Sequence, residues 1–360
     1  MFFLRIIRVR AQPRLADARL ARKRFPNAWR RPNLRPRLSF AGRNNVLKVQ
    51  DIVYVAFGAP DLDTMTTFLT DFGMVENGRS GDRVFMRGAG DYPYVTILEK
   101  GPAAFRAVGM RAGSAAELEA AAKLPGASAI ENIDAPGGGR RVRLQAPDNY
   151  RFDIVHGMEP AKQLPLREPL AINFAFKKQR VRDLQRPPFE PARVVRLGHC
   201  VLKFTDGEGA ARWLNQTLGM LPTDRLYKPE DRKATLGTFM RCDRGQNPAD
   251  HHTIFALQAM PGDIDVHHTS YEVQDPDAVH IGNQWLHNKG YVSEWGVGRH
   301  LLGSQVFDYW RSPYGHIFEH YADGDLLTSD VKPGDYAATP ENLAQWGPEL
   351  APTFFDSVRL

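Results

Sequence analysis

Ile52-Val53-Tyr54-Val55-Ala56-Phe57, followed by Asp61 to Gly73-Met74, has a counterpart in Leu197-Gly198-His199-Cys200-Val201-Leu202, followed by Glu208 to Gly219-Met220. Each copy reads as a β-branched, apolar strand, a short turn, a helix and a glycine at the helix C-terminus. Met65, Phe68, Leu69 and Phe72 give the first helix an apolar face, and Ala210, Trp213, Leu214 and Leu218 do the same for the second. The repeat continues downstream. Ser114-Ala115-Ala116-Glu117 is a capping box opening a helix to about Lys123, and Asp275-Pro276-Asp277 offers an N-cap and a first-turn proline for a helix ended by Gly290. Both copies then close on a strand after a proline, Pro147 to Asp153 and Pro313 to Glu319. The expected fold is therefore α+β, with two similar halves over residues 46–157 and 193–330. They are joined by a linker, 158–192, that holds six prolines, and followed by a C-terminal tail, 331–360.

Composition limits what such a chain does. It carries 47 Lys+Arg against 41 Asp+Glu, net +6. Residues 1–48 hold fourteen of the bases and one acid, Asp17, leaving 33 bases and 40 acids for the rest. The body is thus acidic, and a domain-wide basic footprint for nucleic acid is excluded. The Arg- and Pro-rich stretch 1–45 cannot bury a core and is expected to be poorly ordered, as a transit peptide or upstream sequence from a wrong start rather than a nucleic-acid-binding arm. No apolar run is long enough to cross a bilayer, and two cysteines, Cys200 and Cys242, make no disulfide framework. A cytoplasmic location is expected, with organellar targeting by residues 1–45 as the alternative.

The second half holds ten of the eleven histidines. His199 falls on its first strand, His267-His268 on the strand Val266 to Val273, and Glu319 on its last strand. These are too far apart in sequence for a local finger, so a shared metal requires the three strands to be neighbours. Two imidazoles and a carboxylate on one face of an octahedral ion leave open positions, which suits non-haem Fe(II) binding substrate and O₂. Alternation along the strand puts Ser270 and Glu272 on the face of His268, with His267, Thr269 and Tyr271 opposite. Cys200 reads as a buried thiol rather than a ligand. Three further groups could carry proton chemistry: His252, His300 and Tyr309. The structural alternative makes His251 and His252 exposed loop residues and Tyr309 a core residue. The first half has Val53, Ala107 and Asp153 at the positions taken as equivalent to His199, His268 and Glu319, so it is expected to hold no metal, with Asp153 at the surface or facing the linker.

The motifs Leu197-Gly198-His199, Asp250-His251-His252-Thr253, Val266-His267-His268-Thr269, Gly298-Arg299-His300 and Tyr309 through Pro313 and Gly315 to Glu319 resemble those of the type I extradiol ring-cleavage dioxygenases. This family of the vicinal oxygen chelate superfamily includes the catechol 2,3-dioxygenases and dihydroxybiphenyl dioxygenases. The resemblance covers residues 48 to 330. Phe307 to Arg311 and Glu319 to Asp325 look like the branch that includes trihydroxytoluene oxygenase. The resemblance implies paired βαβββ modules forming two incomplete barrels, with Fe(II), or Mn(II) in its place, only in the second. It implies His199, His268 and Glu319 as metal ligands, His252 as the acid/base group beside the oxygen site, and His300 and Tyr309 as contacts to substrate oxygen. It further implies an aromatic diol or triol and O₂ as reactants, and a homo-oligomer. The competing expectations are a glyoxalase-like metal-dependent isomerase and a non-catalytic aromatic-binding protein of the same fold.

Overall fold

A computed structural model describes residues 47–355; the basic stretch 1–45 lies outside the described residues. The described chain contains four consecutive βαβββ units. The first comprises β1 (Asp51–Ala59), α1 (Leu62–Asp71), β2 (Val75–Ser80), β3 (Arg83–Arg87) and β4 (Thr96–Lys100). The second comprises β5 (Ala104–Arg111), α2 (Ala115–Ala121), β6 (Glu131–Asn132), β7 (Arg140–Gln145) and β8 (Arg151–His156). The third has β9 (Val194–Phe204), α3 (Gly207–Leu218), β10 (Leu221–Lys228), β11 (Asp231–Arg241), the short β12 (Ala249–Asp250) and β13 (Ile254–Gln258). The fourth has β14 (Val266–Val273), α4 (Pro276–Asn288), β15 (Val292–His300), β16 (Val306–Arg311) and β17 (Ile317–Ala322). Then come β18 (Leu326–Leu327), β19 (Gly334–Ala337), α5 (Pro340–Leu343) and β20 (Ala344–Trp346).

The first two units share one sheet, ordered β2-β3-β4-β1-β5-β8-β7-β6. The last two share another, β19-β10-β11-β13-β9-β14-β17-β16-β15-β20, in which the same order recurs between two added edge strands. The stretch expected as a tail thus extends the second sheet at both ends: β19 runs parallel to β10, and β20 pairs antiparallel with β15.

The helices form where the residues direct them. Asp61 caps α1 by accepting the Thr64 N–H at 2.7 Å, and Asp275 caps α4 by accepting the Ala278 N–H at 2.9 Å. Ser114 accepts the Glu117 N–H at 3.2 Å, while the Glu117 carboxylate accepts from Gly113 rather than from the cap itself. Helix α3 ends on Gly219 in the left-handed region at φ 70°, as the sequence pattern requires. Met65, Phe68, Leu69 and Phe72 are all buried under the first sheet's helical face, each contributing roughly 1.5–3 kcal/mol. Trp213 is only partly buried and packs against Phe152 at 5.4 Å.

Aromatic contacts join the halves. Phe57 lies 5.3 Å from Phe318, Phe72 stacks on His320 at 3.7 Å, and the Tyr271 and Thr96 hydroxyls share a hydrogen bond of 2.8 Å. Cys200 is fully buried and its thiol is pushed far up by that burial, in keeping with an apolar core role.

Candidate metal centre

Strands β9, β14 and β17 are neighbours in that order, so the condition for a shared site is met. Ser270 is in register with both His199 and Glu319, and His268 lies two residues before it on β14, so His199, His268 and Glu319 converge on one face. Their donor atoms form a tight triangle: His199 Nε2 to Glu319 Oε2 is 3.1 Å, His268 Nε2 to the same oxygen is 3.4 Å, and the two imidazole nitrogens are 3.4 Å apart. All three side chains are buried. Three donors each about 2.1 Å from a metal at right angles lie about 3 Å apart, so the triangle has the size that a facial triad needs.

The chemistry of the donors agrees. Burial alone would raise the Glu319 carboxyl, but His199 and His268 outweigh it and hold the group well below the usual carboxylate range, so it is an anion. Burial holds His268 below its ordinary value, leaving the neutral form that coordinates a cation. An anionic carboxylate, fully buried beside two imidazoles and without an Arg or Lys partner among the described residues, fits a divalent cation as its counter-charge.

Local geometry brings the other groups to this centre. Residues between β12 and β13 are anchored by Thr253 O, which accepts the Cys200 N–H at 3.1 Å, and this puts the His252 ring 4.0 Å from that of His199. Both His251 and His252 are buried, not exposed in a loop. Burial, followed by the neighbouring imidazoles, keeps His252 well below its ordinary value and therefore neutral at rest. Tyr309 on β16 is in register with Glu319, and is at once buried and a member of the site. His300 Nδ1 faces the Leu343 carbonyl at 2.9 Å, and a carbonyl only accepts, so Nδ1 carries the proton. His300, lowered to about 4 by burial, is neutral; its Nε2 accepts the Tyr309 hydroxyl at 2.8 Å. The Tyr309 oxygen keeps lone pairs to accept from a ligand hydroxyl.

His199, His252, His268, His300 and Tyr309 line a cavity of about 370 Å³, whose other walls are mostly apolar: Val201, Leu226, Phe239, Phe255, Trp295 and Leu302 among them. Leu343, Leu350, Phe354 and Phe355, all from the stretch expected as a tail, close it. Lys203, which also lines the cavity, is committed to Asp263 at 2.8 Å and the Phe355 carbonyl at 2.9 Å.

Three expectations are corrected. His267 does not face away from His268. The register slips between Val266 and His268, a β-bulge that leaves His267 as the extra residue, and both rings line the cavity with their Nδ1 atoms 2.7 Å apart. The first-half counterpart of His199 is Tyr54 rather than Val53, because Gly109 faces Tyr54 across β1 and β5 as Ser270 faces His199 across β9 and β14. Asp153 is fully buried rather than at the surface: it accepts the Tyr54 hydroxyl at 2.7 Å and pairs with Arg151 at 3.1 Å. Asp224 gave no signal in the sequence: its carboxylate meets His251 at 2.7 Å, and a lone acid within a strand does not announce its partner.

No family model matches the chain. It is similar to metapyrocatechase 2 of Cupriavidus necator, 32% identical over 162 residues that cover 44% of this chain and 46% of that protein. The chain thus spans less than half the length of that relative. A manganese-dependent 2,3-dihydroxybiphenyl 1,2-dioxygenase of Geobacillus genomosp. 3 is 24% identical over 312 residues, covering 83% of this chain and 94% of that one. Among solved structures, the Mn(II)-bound glyoxalase from Novosphingobium aromaticivorans has a TM-score of 0.69 at 23% identity, covering 86% of this chain and 98% of that one. An extradiol ring-cleaving dioxygenase from B. fuscum has a TM-score of 0.71 at 17% identity, covering 87% and 83%. The chain therefore has the paired-module α+β fold that glyoxalases and extradiol dioxygenases share, and in sequence it is similar to proteins named as aromatic ring-cleavage dioxygenases.

Proposed function

We propose that this chain cleaves an aromatic diol or triol beside its hydroxyl pair with O₂, at Fe(II), or Mn(II) in its place, held by His199, His268 and Glu319. The observation that carries the reading is the triangle of buried donors whose two imidazoles line an apolar cavity, with a neutral imidazole and a hydroxyl acceptor beside it. When bound, the metal supplies adjacent coordination positions at which a diol and O₂ meet, and a route for electrons between them.

The protein's own residues do the rest. The cavity walls exclude water and orient the ring. His252, neutral and beside the donor triangle, takes a proton from a substrate hydroxyl and returns it as the ring opens. Tyr309, its hydroxyl donated to His300, accepts a hydrogen bond from substrate oxygen. A glyoxalase-like isomerisation has no use for a position that takes O₂, and the donor set lies within one half of the molecule.

The test is anaerobic loading with Fe(II), followed by a panel of catechols and trihydroxybenzenes in an oxygen electrode with visible spectroscopy. Ring cleavage predicts one O₂ consumed per ring and a yellow product. A chain that binds iron yet consumes no O₂ with any member of the panel contradicts the proposal.

A further inference from the structure

A line of three buried side chains, Asp224, His251 and His252, runs from β10 to the metal centre, and only the last touches the site. His251 Nε2 lies 2.7 Å from Asp224 Oδ2, and His251 Nδ1 lies 3.1 Å from His252 Nδ1. The other Asp224 oxygen, Oδ1, accepts the Gly334 N–H at 2.9 Å.

With both rings in the neutral form, the donors and acceptors along this line leave one arrangement. A carboxylate only accepts, so His251 donates from Nε2. A neutral imidazole carries a single N–H, so His251 Nδ1 is bare and must accept. Two bare nitrogens 3.1 Å apart would repel, and the hydrogen at that contact therefore sits on His252 Nδ1. His252, bonded through Nδ1, then presents Nε2 as a bare lone pair on the other side of its ring. We propose that Asp224 and His251 are positioning residues that fix His252 as its Nδ1–H tautomer, so that it meets a substrate hydroxyl first as a base through Nε2. The role as base rests on the proposed ring cleavage; the tautomer does not.

Asp224→Asn tests the line sharply because Gly334 decides which way the amide turns. The Gly334 N–H keeps the amide oxygen, so the NH₂ faces His251 Nε2 and donates to it. His251 then carries its proton on Nδ1, and His252 is left with Nε2–H. The measurement is long-range ¹H–¹⁵N NMR of histidine-labelled protein, metal-free and loaded with Zn(II), with His252 assigned by its loss in His252→Gln. The expected result is a protonated Nδ1 and bare Nε2 at His252 in the native chain, interchanged in Asp224→Asn. His251→Phe, which removes the acceptor without touching Asp224, should leave a mixture of both tautomers. A native His252 protonated on Nε2, or one unchanged in both variants, overturns the proposal. In the Fe(II)-loaded chain, Asp224→Asn should lower kcat by about 10²–10⁴-fold with metal content unchanged, as expected when a general base is held in the wrong tautomer. The NMR interchange in a protein inert toward every diol supports the positioning line and refutes ring cleavage alone.

Discussion

The two halves of the molecule carry the same three positions and fill them differently. In the second half these are His199, His268 and Glu319; in the first, Tyr54, Ala107 and Asp153. Both carboxylates are fully buried, and a buried anion needs a counter-charge. Asp153 takes it from the protein itself, from Arg151 at 3.1 Å and Arg141 at 3.7 Å, with the Tyr54 hydroxyl at 2.7 Å. Among the described residues, Glu319 pairs with imidazoles and meets the Tyr309 hydroxyl, with no Arg or Lys partner. The surroundings differ in the same sense. Tyr54, Phe85, Tyr94, Ile97 and Val155 pack the interior of the first sheet, whereas the second keeps a cavity of about 370 Å³. One fold thus gives a sealed ion-pair core in one copy and an anionic, open site in the other.

Glu319→Ala should break this contrast most completely. Removing the only anion of the donor triangle is expected to abolish metal binding, read as metal per chain after dialysis, and activity with it. His252→Ala should leave metal near one per chain while lowering turnover by about 10²–10⁴-fold, the usual worth of a placed acid/base group; loss of metal would make His252 a ligand. Asp153→Ala sharpens the comparison from the other side. It strands Arg151 and leaves Arg141 to Glu131 alone, so it should cost about 3–5 kcal/mol in denaturant unfolding yet leave metal content unchanged.

The smallest effect concerns His316, which packs on Phe57 of the first half at 4.8 Å and whose imidazole burial lowers to about 4. Its folded value lies below its unfolded one, so its share of stability is intact above about pH 6.5. That share is lost as pH falls toward 4, because the unfolded chain takes up a proton that the native one refuses, and amounts to at most about 3 kcal/mol. His316→Phe should flatten this part of the Tm profile; an unchanged slope would assign it to other groups.

Much of the frame was legible because it rests on local rules. The repeat, the Asp61 and Asp275 caps, and Gly219 each follow from what a helix end requires, and the donor triangle follows once β9, β14 and β17 are adjacent. What escaped depends on partners distant in sequence. The bulge at His267 is a register slip against Leu202 and Val201 that no alternation rule contains. Asp153 looked exposed because its Tyr54 partner lies 99 residues away, and Asp224 went unread because its partner is His251, 27 residues on between β12 and β13. The cavity's closing residues, Phe354 and Phe355, follow the last repeat and carry no pattern of their own.

One divalent metal is expected, in the second half alone. An anomalous difference map from crystals of the Fe(II)-loaded chain tests it directly. A single iron peak bounded by His199, His268 and Glu319 is expected, and none beside Tyr54 and Asp153. A peak at Asp153, or none at the donor triangle in a protein that retains iron, would contradict it.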